Sequence, residues 1–202
     1  MEFLMACIVG IGLSAACGFR VFVPMLGTGI AAYSGHLELA ESFQWLQHPA
    51  TIAALGLATA LEIGAYYVPW LDNLMDSIAA PAAVTAGTIM TASMVGGDFS
   101  PLLKWSLALI AGGGAAGVVQ TATTLIRGTS SATTGGLANP VVSTGELAAA
   151  SGITLMAVIA PIFVAIVLLI IAVWIVRILL RRKKNKELVI ADTNSNEIDP
   201  SS

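Results

Sequence analysis

Charged side chains are sparse over most of this 202-residue chain. Only eleven Asp, Glu, Lys and Arg residues precede position 177, whereas ten of the 21 lie from Arg177 onward. Hydrophobic residues make up 56% of the chain and the mean hydropathy is +0.86, well above the composition of soluble domains. A globule in water needs more polar surface than residues 1–176 supply, whereas a bilayer is itself an apolar solvent. The sequence therefore predicts an all-α, polytopic helical membrane protein.

Two segments of the chain share a pattern of glycine, proline and small polar residues. Residues 12–35 read GLSAACGFRVFVPMLGTGIAAYSG, and residues 128–152 read GTSSATTGGLANPVVSTGELAAASG. Ten positions are identical when Glu146 is treated as an insertion. Many transporters build a site inside the bilayer from such Gly/Pro-broken apolar segments in corresponding halves. We predict an internal repeat with units at about 1–68 and 101–182, joined by linker helices at 69–100, and the pattern leaves open whether it is parallel or inverted.

Proline and glycine divide the apolar sequence into about six or seven short transmembrane or re-entrant helices, which we expect to form one embedded domain at 1–182. The first apolar block, 3–33, is too long for one crossing and short for two, since a crossing needs roughly twenty residues. We expect either two tilted helices that turn at Gly18-Phe19-Arg20 or a re-entrant hairpin. A helix that starts at Pro49 and ends near Tyr67 follows.

Further residues that interrupt helices follow in the second part of the chain. We expect a break at 68–76, where a short amphipathic turn precedes a separate span at 81–95. The run Gly112-Gly113-Gly114 favours close approach between helices. The polar residues at 129–136 favour an unwound or re-entrant stretch, and the strongest predicted span is 153–180.

The C-terminal end is basic and then polar. Basic residues at 181–184 follow the last apolar segment, and the positive-inside rule places such clusters in the cytoplasm. We therefore predict a cytoplasmic C-terminus and a polar, disordered tail at 183–202.

A charge within a bilayer costs a few kcal/mol, so each one needs a partner, a watery cavity or a function. Arg20 lies in the middle of the first apolar block and is predicted either to contact an anion or carboxylate or to reach the headgroups as an interface residue. Glu62 lies about one turn before the end of its helix. It is predicted to be either a proton-binding carboxylate or the structural partner of Arg20 or Arg127.

Asn139 and Glu146 form the sharpest candidate site. The polar run before Asn139 would expose backbone carbonyls, and the following half-helix would offer its N–H groups to an anion. Alternatively, Asn139 caps the helix and Glu146 lies at the outer interface. Arg20, Glu62, Asn139 and Glu146 are thus the candidates for binding a substrate or ion, with Asp72, Asp76 and Arg127 as secondary candidates.

Several functional classes have little support. The two histidines, His36 and His48, share one polar connection without metal-ligand spacing, and no Ser–His or Cys–His nucleophile pair is evident. An intramembrane enzyme would need Asp72 and Asp76 to converge on a metal or a cavity. No basic arm with interleaved aromatic residues suggests nucleic-acid binding. We therefore predict no enzymatic activity, no catalytic residue, no metal, no cofactor and no nucleic-acid partner.

Four motifs resemble a known family. They are GLSAACGFRVFVP, the segment YYVPWLDNLMD that follows Glu62 in the same region, GGGAAGVVQTATTLIR and TTGGLANPVVSTGE. Over about residues 4–180 the chain is similar to the bacterial membrane proteins grouped as domain-of-unknown-function family 4126. The resemblance implies a multi-pass protein of the bacterial inner membrane and no assigned activity.

These patterns together predict a small transporter or channel. Its site would lie where the two broken segments meet. Its partners would be the lipid bilayer and a small ion or solute, and the pattern also allows a homo-oligomer. The alternative is a non-transporting membrane scaffold or lipid-binding factor, in which the buried charges only join helices. The sequence specifies neither the substrate nor the coupling, direction or oligomeric state.

Overall fold

Helices are the only regular elements among residues 2–67, 69–97, 99–171, 173, 174 and 177, which the computed structural model describes. Within helices, the side chains of 2, 69, 70, 72–74, 76 and 77 are not described. The helices are α1 (Glu2–Cys17), α2 (Phe22–Tyr33), α3 (Pro49–Ala65), α4 (Pro69–Met94), α5 (Pro101–Leu107), α6 (Gly114–Thr134), α7 (Asn139–Ile159) and α8 (Pro161–Ile171). A 3₁₀ helix spans Glu41–Gln47, and a π-helical segment, Ala108–Gly113, joins α5 to α6. The chain divides into units at 1–165 and 166–202, and all contacts below lie within the first.

The first apolar block breaks at Gly18-Phe19-Arg20, because α1 ends at Cys17 and α2 begins at Phe22. Whether this pair crosses the bilayer or re-enters stays a prediction. The turn lies close to α6. A Cβ atom on Gly18 would lie 2.5 Å from Val119 Cβ and 2.6 Å from Ala116 O, so only glycine fits. The close approach carries Arg20 into the interior, where the residue is 2% exposed.

The break before Pro69 is confirmed, because α3 ends at Ala65 and α4 begins at Pro69. The expected separation of 69–76 from a span at 81–95 is wrong, because α4 is one helix from Pro69 to Met94 that contains Pro81. A proline inside a helix removes one backbone hydrogen bond but does not have to end the helix. The Thr85 hydroxyl donates to the Pro81 carbonyl at 2.8 Å and gives this turn an additional hydrogen bond.

The unwound stretch expected at 129–136 is largely wrong, because α6 continues to Thr134. Threonine hydroxyls in its last turns donate to carbonyls one turn back, at 2.7 to 2.8 Å, so these threonine side chains are satisfied within the helix. The C-cap residue after Thr134 is Gly135, whose φ of +63° lies in the left-handed region. Only 135–138 separate α6 from α7.

The single span expected at 153–180 is wrong, because its described part belongs to two helices. Helix α7 starts at Asn139, passes through Ile153 and ends at Ile159, and α8 starts at Pro161. Proline disfavours a helical conformation in the residue before it, and Ala160 accordingly adopts φ −138° and ψ 64°. Residues 178–180, like the predicted tail at 183–202, lie outside the described residues.

Helices α1, α4 and the π-helical segment pack closely through glycine and hydroxyl residues. The Ser14 hydroxyl lies within hydrogen-bonding distance of three groups, namely the carbonyls of Gly10 and Gly87 and the Thr91 hydroxyl. A Cβ on Gly112 would lie 2.5 Å from the Gly87 carbonyl oxygen, as the glycine-rich sequence predicts for a close helix contact. Helix α2 packs against both α3 and α7, and α7 also packs against α1.

Helices α6 and α7 bury polar residues and expose apolar ones. The buried row on α7 contains Asn139, Ser143, Glu146, Ala150, Thr154 and Ala157, and the buried row on α6 contains Ala116, Gln120, Thr123, Arg127 and Ser130. By contrast, Leu125 is 67% exposed and Val141 is 74% exposed. The helical runs Pro101–Thr134 and Asn139–Ile159 are long and apolar enough to cross a membrane, and only 22% and 28% of their apolar windows are buried.

The two segments of the predicted repeat have corresponding local structure. Each contains a helix end, a break at 18–21 or 135–138, and a helix with Pro24 or Pro140 in its first turn. Helices α2 and α7 contact each other, as do α1 and α6. Common descent of the two segments stays a prediction.

Candidate functional site

Two arginines that are far apart in the chain meet one glutamate. Arg127 on α6 forms a two-point contact with Glu146 on α7: its Nε donates to Oε1 at 2.9 Å, and its Nη2 donates to Oε2. Arg20, from the break between α1 and α2, places Nη2 3.5 Å from the same Oε2. One carboxylate therefore connects three segments of the chain.

Ser143 and Tyr66 complete this group. Arg20 Nη2 donates to the Ser143 carbonyl at 3.0 Å and also to the Ser143 hydroxyl. The guanidinium carbons of Arg20 and Arg127 lie 3.8 and 4.1 Å from the centroid of the Tyr66 ring, within the range of cation–π attraction. We call Arg20, Tyr66, Arg127, Ser143 and Glu146 the arginine cluster.

The arginine cluster is buried. The exposed fractions are 2% for Arg20, 4% for Arg127 and 6% for Glu146. Removing charges from water is costly, and a buried ion pair is favourable only when hydrogen bonds satisfy its remaining donors and acceptors. Arg127 and Glu146 meet that condition on their facing edges, since they form a charge-assisted fork.

Two nitrogens of Arg20 lack the hydrogen bonds that a buried ion pair needs. Nε and Nη1 are buried and have no hydrogen-bond partner within the part of the chain that the structure describes. Together these atoms carry three N–H bonds, and a buried donor left unpaired costs about 1–3 kcal/mol. Open cationic donors in an interior position can hold an anion or a polar ligand.

Glu62 lies beside the arginine cluster and has a local structural role. Its Oε1 accepts from the backbone N–H of Val21 at 2.7 Å, and Oε2 accepts from that of Phe22 at 3.1 Å. A carboxylate at this position satisfies the first N–H groups of α2 and interacts favourably with the helix dipole. Among the described residues, Arg20 and Arg127 form their ion pairs with Glu146 and not with Glu62.

Asn139 lies on the same face of α7 as Ser143 and Glu146, at the start of the helix. It does not cap the helix, because the N-cap is Ala138 and makes no side-chain hydrogen bond. Its Nδ2 donates instead to the Ser131 hydroxyl at 3.1 Å, which joins the two ends of the break between α6 and α7.

The secondary candidates have different outcomes. Arg127 is a full member of the cluster. Asp72 and Asp76 lie in the first turns of α4, and their side chains are outside the described part of the structure. Sequence reasoning did not select Ser143 as a site residue, although its spacing of four from Asn139 and three from Glu146 places it on the same face.

A groove of about 600 Å³ lies between α2, α3 and α7. Most of its lining is apolar, and the lining residues are Val23, Leu26, Gly27, Ile30, Ala31, Ser34, His36, Thr59, Ile63, Leu147, Ser151, Thr154, Leu155, Val158 and Ile159. The Thr59 hydroxyl is buried and has no hydrogen-bond partner among the described residues. None of the four sequence-predicted binding candidates lines this groove.

The described residues contain no group of three or more His, Cys, Asp or Glu side chains that could hold a metal ion. Cys7 and Cys17, both in α1, are free thiols.

Comparisons with known proteins identify a family without an assigned activity. No curated protein matches the chain, and no solved structure matches it. The family model described as "Domain of unknown function (DUF4126)" matches residues 7–181, which is most of the chain. The chain therefore belongs to the DUF4126 family.

Proposed function

We propose that this protein is a multi-pass membrane protein of the bacterial inner membrane. The support is the reversed polarity of α6 and α7, which turn Arg127 and Glu146 inward and residues such as Leu125 and Val141 outward. In water such an apolar exterior would be unfavourable, whereas in a bilayer it faces acyl chains. Lipid is thus the proposed partner of this surface, and in a homo-oligomer a second copy of the chain would contact part of it. The basic residues at 181–184 favour a cytoplasmic C-terminus.

We further propose that the protein is a small transporter or channel whose polar site is centred on the arginine cluster. The observation that carries this proposal is the buried Arg20, with Nε and Nη1 unpaired among the described residues. Maintaining such a cation within a bilayer is costly, which is why intramembrane charges usually mark a substrate or ion pathway. Arg20 also lies at the break between α1 and α2, where discontinuous helices commonly form transport sites.

Flux through proteoliposomes tests this function. Vesicles with entrapped pyranine report proton flux, and vesicles with entrapped lucigenin report halide flux. We expect Arg20→Ala and Glu62→Gln to reduce the flux of the purified protein, whereas Lys104→Ala, outside the cluster, serves as the matched control. Unchanged flux in both Arg20→Ala and Glu62→Gln would remove these residues from the mechanism, and the absence of flux in the native protein would contradict transport of protons and halides.

The fork between Arg127 and Glu146 favours a second candidate, a non-transporting membrane scaffold or lipid-binding factor. This fork joins α6 to α7 directly, as expected for a contact that only holds helices together. If the cluster is purely structural, Arg127→Ala and Glu146→Ala should lower the unfolding midpoint without any specific effect on flux at temperatures where the variants remain folded.

A further inference from the structure

The arginine cluster and the apolar groove are consecutive along the same helices. Val23, Ile63 and Leu147 line the groove, and each directly follows a residue that belongs to the cluster or to the contact between Glu62 and α2. The hydrogen bonds of Glu62 hold α3 against the start of α2, and the ion pair of Arg20 holds α7 at the same level. These three groove residues therefore form the end of the groove that is nearest to the charges.

From this end the groove extends away from the cluster. Its lining continues along α2 to Ser34 and along α7 to Ile159, so both helices run in the same direction along it. Ser34 and His36 at the far end are exposed, and the His36 ring lies 3.0 Å from the Ser34 hydroxyl. The groove thus runs between mostly apolar walls from an exposed polar end to Val23, Ile63 and Leu147, which separate it from the arginine cluster.

The chemistry of the two parts indicates one type of ligand. The apolar walls favour a hydrocarbon chain, and the open N–H donors of Arg20 favour an anion. A volume of about 600 Å³ is within the range of pockets that hold a single drug-sized ligand. A molecule with one chain and one compact acidic head matches both the size and the polarity.

We propose that the groove binds a single-chain amphiphilic carboxylate. The chain lies between α2, α3 and α7, and the carboxylate accepts hydrogen bonds from Nε and Nη1 of Arg20. The Arg20 side chain is 1% exposed, so the head group reaches it only after Val23, Ile63 or Leu147 changes rotamer. This inference rests on the proposed role of the arginine cluster as the polar site, and it assigns that site a ligand class.

Displacement of cis-parinaric acid, a fluorescent 18-carbon carboxylate, tests the head group. The full-length protein is purified in an uncharged detergent, and palmitate, hexadecanol and butyrate compete for the probe. We expect palmitate to bind at least about tenfold more tightly than hexadecanol, because a hydrogen bond to a charged partner contributes that much affinity. We expect butyrate, which has the head without the chain, not to displace the probe. Equal affinities for palmitate and hexadecanol would overturn the role of Arg20.

Two tryptophan variants on α7 test the location. Ser151 is exposed and lines the groove, whereas Ala148 is exposed on the same helix and does not line it. We expect Ser151→Trp to weaken palmitate binding about tenfold or more by filling the groove, and Ala148→Trp to stay within about twofold of the native protein. Equal weakening in both variants, or in neither, would overturn the assignment to this groove.

The binding and flux measurements fail independently. If palmitate binding follows these expectations while no flux is detected, the inference stands and transport of protons and halides is contradicted. If flux depends on Arg20 while palmitate and hexadecanol bind equally, the inference is wrong and the transport proposal stands.

Discussion

Replacing Gly112 by alanine should destabilise the protein, whereas the same change two residues later should not. A Cβ on Gly112 would lie 2.5 Å from the Gly87 carbonyl oxygen, and it would also contact the Thr91 side chain. A new Thr91 rotamer would move its hydroxyl but not its Cβ, which would lie 2.7 Å away, and the Gly87 carbonyl belongs to the backbone of α4, so both contacts are relieved only if the helices separate. At Gly114 a Cβ would meet no atom within 4 Å, and the backbone there is helical, with φ −61°.

The expected magnitudes follow from these contacts. Inserting one methyl group into a closely packed core costs about 1–3 kcal/mol, and the backbone contact places Gly112→Ala at the upper end. Gly114→Ala gains up to about 1 kcal/mol, because alanine is a better helix former than glycine. For a chain of this size, each kcal/mol corresponds to about 2–4 °C in the unfolding midpoint. We therefore expect a decrease of about 6 °C or more for Gly112→Ala and no decrease for Gly114→Ala.

Circular dichroism at 222 nm during heating of the detergent-solubilised protein measures both variants under identical conditions. Titration with sodium dodecyl sulfate gives a second, isothermal midpoint. The same decrease in both variants would refute the reasoning, because it would show that glycine is required in this segment for a reason other than the approach of α4. An unchanged midpoint for Gly112→Ala would show that the two helices can separate without cost.

Three further variants test the polar contacts and one helix end by the same unfolding assay. Glu146→Gln should cost about 3–5 kcal/mol because it leaves buried arginines without their carboxylate, and combining it with Arg127→Met should cost less than the two single changes together; additive costs would contradict a direct coupling. Glu62→Gln should cost about 1 kcal/mol because it removes one of two acceptors and the charge at the start of α2, whereas Glu38→Gln, on an exposed side chain, should leave the midpoint unchanged. Gly135→Ala should cost about 1 kcal/mol, since alanine is strained at φ +63°, and a midpoint at or above the native value would argue against this C-cap.

The errors in the predicted helix boundaries have a common physical cause. Polar or proline-containing stretches at 129–136 and around Pro81 were expected to interrupt helices, because serine, threonine and proline disfavour helix interiors in water. The hydroxyls instead bond to carbonyls of the preceding turn, as Thr133 and Thr134 do, and packing holds the helix together. Local sequence preference cannot include that contribution.

The breaks that were predicted correctly depend on stronger local restrictions. Gly18 has no Cβ and fits against α6, where any other residue would collide with Val119 or Ala116. Pro49 begins α3 as predicted, because proline lacks a backbone N–H and is therefore tolerated in the first turn of a helix. Such restrictions act on the backbone itself and are therefore visible in the sequence.

The sequence by itself determined the all-helical class, the family and the short set of charges from which a site had to be chosen. These features follow from the sequence because composition and the covalent restrictions of proline and glycine belong to individual residues and do not depend on tertiary contacts. Only the tertiary structure decided which of those charges meet. Arg20 is 123 positions from Ser143 and 41 positions separate Val21 from Glu62, so no local spacing predicts their contacts. The pairing of Arg127 with Glu146, and the assignment of Glu62 to the start of α2, follow from how the helices pack.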